Sequence, residues 1–101
     1  MAQRSQDRRQ QLPGADLVAE GMADLEAGRE SEAALAVAAA APRLRSAGLA
    51  VPPGGPEQPS HRLYSLLAKT SGNDAHGRYN AILRRLASYA RALEGAGPSP
   101  P

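Results

Sequence analysis

Arg78, Arg84, Arg85 and Arg91 border an apolar stripe of Tyr79, Ile82, Leu83, Leu86, Tyr89, Ala90 and Leu93 within the segment from Asp74 to Glu94. A guanidinium is a planar fork of donors that grips a carboxylate or a phosphate through two parallel hydrogen bonds, so this stretch carries binding chemistry. At 100° per residue, Arg78 and Arg85 fall on one border of the stripe and Arg84 and Arg91 on the other. The four arginines therefore do not make one basic face. Tyrosine and arginine are the side chains most enriched at binding hot spots, and an apolar seam with an arginine rim suits a protein partner.

A nucleic-acid helix needs something different: a polar face free of apolar bulk, with base-reading side chains near its N-terminus. Asn80 with Arg84 and Arg91 is the best such set here, and the arm carrying Arg4, Arg8 and Arg9 would add backbone contacts. With a net charge of only +2, nucleic acid stands second to protein. Arginine outnumbers lysine 11 to 1 beside 21 alanines, a bias expected of GC-rich coding.

Catalytic chemistry finds little support. The chain has no cysteine, which excludes disulfides, thiolate zinc sites and cysteine nucleophiles. His61 and His76 sit on separate expected helices and lack a third ligand, so no metal is expected. The serines lie in no Gly-x-Ser-x-Gly elbow, and Gly54 and Gly55 precede proline where a phosphate loop needs lysine and a helix. No carboxylate pair lies in an apolar setting. The expectation is a non-enzymatic protein without a cofactor.

The elements that must position the stripe are all helical. At 101 residues, with 16 Leu, Ile, Val and Phe together, the chain suffices for one small domain with a thin core. Self-association or a partner is then a physical expectation. Leu17, Val18, Met22 and Leu25 share a face with Gly21 and mark a first helix over Ala15 to Ala27, stopped by Gly28. Ser31 is suited to cap a second, alanine-rich helix to Ala40, and the short connection makes the pair an antiparallel hairpin. Pro42 stops or kinks that run, and Arg43 to Ala47 adds a further turn ended by Gly48.

Val51 to Pro59, with four prolines and two glycines, reads as a linker. Two Pro-x-x-Pro spacings occur in it, but their glycines favour a plain connection. Ser60 is the expected cap of a short helix bearing Leu63, Tyr64, Leu66 and Leu67, whose Leu-x-x-Leu-Leu pattern is read as core. Thr70 to Asn73 is a turn, and Asp74 caps the long helix.

The fold expected is all-α: four helices, five with the extra turn, in two hairpins (15–49 and 60–94) joined by the linker 51–59. A disordered basic arm (1–12) precedes this domain (13–94), and a Pro/Gly tail (95–101) follows it. Pro13 to Glu32 holds six acidic residues against one arginine, whereas Glu57 to Pro101 holds six basic against three acidic. The first and last helices thus have complementary charge, within one chain or between two. The polar N-terminus and the lack of any run of about 20 apolar residues make a cytoplasmic, membrane-free protein the expectation. Taken together, these features point to a small regulatory or adaptor protein that binds a protein partner or itself through the last helix.

Overall fold

A computed structural model describes residues 12–53 and 55–96. Among them the chain is all-α, with five α-helices and no strand: α1 (Ala15–Glu26), α2 (Glu32–Ala39), α3 (Ala41–Ser46), α4 (Pro59–Ser71) and α5 (Ala75–Ala96). A 3₁₀ turn, Gly72–Asp74, joins α4 to α5. The expected arm lies outside the described residues except for Leu12, which is half-buried and packs against the core. Of the expected tail only Gly95 and Ala96 are described, and they continue α5.

Local chemistry accounts for most of the helix ends. At the end of α1 the Gly28 amide donates to Leu25 and the Arg29 amide to Asp24, with Gly28 at φ 73°. The same two-bond closure ends α3, where Gly48 donates to Arg45 and Leu49 to Leu44. Left-handed glycine is what this closure requires, and the buried Leu44 and Leu49 supply its apolar clasp. Ser31 caps α2 by accepting from the Ala34 amide at 3.1 Å, and its hydroxyl donates to Asp24 of α1 at 2.6 Å. The start of α4 differs from expectation. It is set by Pro59 in the first turn with Gln58 as the flanking residue, not by Ser60, because proline's fixed φ is already helical and its missing amide costs nothing there.

The alanine-rich α2 is the centre of the molecule. It packs against α1 on one side and α4 on another, and it also touches α5. Five successive residues, Ala33 to Val37, are buried. A helix buried around most of its circumference shows no amphipathic stripe, and small side chains let its neighbours approach closely. The closest approach is at Gly21 of α1, where a β-carbon would stand 2.4 Å from both the Ala33 carbonyl oxygen and the Val37 Cγ2. The remaining core combines Leu63 and Leu67 of α4 with Ile82, Leu86, Tyr89, Ala90 and Leu93 of α5, and with Leu44, Leu49 and Val51.

The Pro/Gly segment is anchored at both ends. Arg45 donates to the carbonyls of Val51 and Pro52, and Arg62 to that of Glu57. Gly55 lies over Ala38 and Leu25, at the seam between α1 and α2.

Two glycines within helices should respond in opposite ways to alanine. Overpacking at Gly21 costs roughly 1–3 kcal/mol, which outweighs the gain of about 1 kcal/mol in helix propensity, so Gly21→Ala is expected to lower stability. At Gly77 of α5 an added β-carbon meets nothing, so Gly77→Ala should stabilise by about 0.5–1 kcal/mol. Urea denaturation of the two variants checks this, and stabilisation by both would remove the close approach at Gly21.

Candidate interaction surface

The apolar stripe of α5 is divided between the interior and the surface. Ile82, Leu86, Tyr89, Ala90 and Leu93 are buried in the chain's own core. Their burial takes them off the exposed surface and leaves them to hold α5 in place. Tyr79, Leu83 and Ala87 are half-buried along the edge of the stripe that turns toward solvent.

The two arginine borders are treated just as unequally. Arg85 donates to Asp16 of α1 at 2.9 Å, and Arg78 to Glu32 of α2 at 3.0 Å and to the Ser71 hydroxyl. This border is where α5 meets the acidic N-terminal half, including the approach of Gly14 to the Arg85 carbonyl oxygen. Further along, Arg43 of α3 reaches Glu94 at 3.2 Å, and Arg62 of α4 donates from a single guanidinium nitrogen to both carboxylate oxygens of Glu30. All of these pairs are exposed, so solvent screens them and they orient packing without supplying its stability. Arg84 and Arg91, expected on the opposite border, stand about 80–100° beyond Leu83 on the face of α5 turned away from the core; they are exposed and form no ion pair or side-chain hydrogen bond among the described residues.

Tyr64 extends the free side onto α4. It is the one large apolar side chain among the described residues that is exposed, at 39% of its surface. Its ring meets Tyr79 edge-on at 5.4 Å between centroids and His76 at 6.4 Å. His76 in turn shares a 3.1 Å hydrogen bond with Asn80 one turn on. The sequence places Tyr64 on α4 without assigning it a role, and so misses this cluster. The signal was its position: Tyr64 lies 100° around the helix from Leu63, and the fully buried pair is Leu63 with Leu67.

The remaining candidates are dispersed. His61 lines a shallow groove with Glu30, Arg62, Ser65, Leu66 and Lys69, whereas His76 stands in the aromatic cluster. Among the described residues no three His, Asp or Glu side chains converge to hold a metal ion. No described helix is long and apolar enough to cross a membrane. No protein-family model matches the chain, nor does any curated protein or solved structure.

Asp16 gives the packing border a pH signature. The Leu17 amide, opposed by desolvation and aided by the Arg85 guanidinium, holds its carboxyl below the usual value of 3.8. A carboxylate depressed on folding stabilises the native state above its unfolded pKa, and that stability is lost as pH falls through the lower folded value. Acid titration of stability should therefore fall less steeply below pH 3.8 in Asp16→Asn than in the parent chain. Identical acid limbs would remove the Asp16 contribution.

Proposed function

We propose that the protein is a non-catalytic helical binding module, an adaptor or regulator, which engages another protein through the free side of α5. The observation that supports this is the inequality of the two arginine sets. One is occupied by the chain's own acidic residues, while Arg84 and Arg91 stand unpaired among the described residues next to half-buried Ala87, with half-buried Leu83 and Tyr79 further round toward the core. An apolar centre edged by guanidinium groups is the composition of a protein interface, and Tyr64 enlarges it with aromatic surface at little entropic cost.

Nucleic acid is the second reading, and its candidate set of Asn80, Arg84 and Arg91 lies along this same face. Its electrostatics are weak. Each phosphate neutralised contributes about −0.9 to the slope of log affinity against log salt, so Arg84 and Arg91 supply roughly −1.8 and the arm's Arg4, Arg8 and Arg9 would bring the total to about −4.5, against −5 or steeper for proteins with 6–10 phosphate contacts.

Site-specific photo-crosslinking in cells separates these readings. A benzophenone side chain at Leu83 should give a discrete, protease-sensitive adduct, and the same group at exposed Ala81, on the other side of α5, should give none. A nuclease-sensitive adduct would favour the second reading, and equal labelling from both positions, or none from either, would contradict the proposed surface.

A further inference from the structure

Six of the eight described arginines are engaged within the chain: Arg29 with Asp24, Arg43 with Glu94, Arg62 with Glu30, Arg78 with Glu32, Arg85 with Asp16, and Arg45 with two loop carbonyls. Arg84 and Arg91 are the exceptions. Seven positions apart, they stand about 10.5 Å from one another along the axis of α5 and only about 20° apart around it. Asn80 and Ala87 fall near the same line, and Leu83 lies further round toward the core. The two guanidinium groups thus mark a straight, two-turn ruler beside an apolar edge.

We infer that the partner is an acidic amphipathic helix lying along α5, with carboxylates seven residues apart that pair with Arg84 and Arg91 and apolar side chains that cover Ala87 and Leu83. This rests on the protein-binding reading of the same face. The spacing selects a helix. In an extended strand about 10.5 Å is close to three residues, and side chains three apart point to opposite faces. In a helix seven residues is two turns, so both carboxylates face the same way, as interhelical charge pairs do in coiled coils.

A second copy of the chain does not meet this requirement. Two-fold pairing of α5 with itself would gather four arginines about the symmetry axis, and the acid nearest on that side, Glu94, is paired with Arg43. The acids of α1 with no ion pair among the described residues, Glu20 and Glu26, lie about 120° apart around their helix and cannot reach both guanidinium groups from one line.

The probe is a pair of synthetic helical peptides, each of roughly 20 residues so as to hold a helix. Both carry the same leucine seam, with two glutamates seven apart in one and two lysines in the other. Anisotropy titrations use the full chain. The glutamate peptide should bind roughly tenfold tighter than the lysine peptide at low salt, and the preference should shrink as salt rises. Arg84→Glu/Arg91→Glu should reverse the preference, whereas Lys69→Glu, an exposed charge change on α4, should leave it intact.

Equal affinity for the two peptides, a preference that survives the double reversal, or no binding of either peptide would overturn the inference. If that happens while the Leu83 adduct with a protein persists, the acidic-helix assignment falls and the protein-binding reading stands. Loss of the adduct as well removes both.

Discussion

Gly21 lets α1 come so close to α2 that a single added carbon would overlap the Ala33 carbonyl and the Val37 methyl, and the other helices are arranged around that contact. It allows α2, a helix with little bulk of its own, to sit in the middle of a domain with few large apolar residues. The alanines that surround Leu35 and Val37 give high helix propensity and a narrow cylinder. Narrowness matters here because the leucines available to α4 and α5 could not span a wider gap. The core is thus built from a thin central helix and larger side chains converging on it from both sides, with Leu63, Leu67 and Leu86 each 1% exposed or less.

The position of α2 decides what α5 offers to the outside. One edge of α5 is drawn toward the acidic N-terminal half, where Asp16 and Glu32 meet Arg85 and Arg78. These exposed pairs contribute little energy; the rotation of α5 about its axis is fixed by the burial of Ile82, Leu86, Tyr89, Ala90 and Leu93, and the pairs follow from it. Once that rotation is fixed, Arg84 and Arg91 are turned away from the chain's own acids, and Tyr79 and Leu83 are left only half covered. The candidate surface is a consequence of core packing, and its most informative residues are the ones the core did not use.

Those features of the sequence that act locally were legible. The capping hydroxyl of Ser31 and the left-handed Gly28 and Gly48 act within one turn of themselves, and each stands where local chemistry puts it. Helical arithmetic also separates Arg78 and Arg85, beside the stripe, from Arg84 and Arg91, which fall nearly opposite it and not on its second border. Which acids the first set would meet could not be read, because that depends on where α1 and α2 lie in space. The central role of α2 was hidden for a related reason: a run of alanines buried on most sides has no apolar periodicity to detect. Ile82, Leu86, Tyr89 and Leu93 were recognised as a seam, but periodicity alone does not tell a seam that closes a domain from one that waits for a partner. Pro59 prevailed over Ser60 as the start of α4, since a preset backbone angle acts before a capping hydrogen bond can form.

Native-state amide hydrogen exchange on the full chain tests the central place of α2 most directly. If α2 organises the fold, the amides of Leu35, Ala36 and Val37 should exchange only through global unfolding and be at least as slow as those of Leu86 and Tyr89 in α5. Exchange of the α2 amides by local opening, while those of α4 and α5 stay protected, would contradict the account and make α2 a peripheral helix laid on an independent α4 and α5 pair.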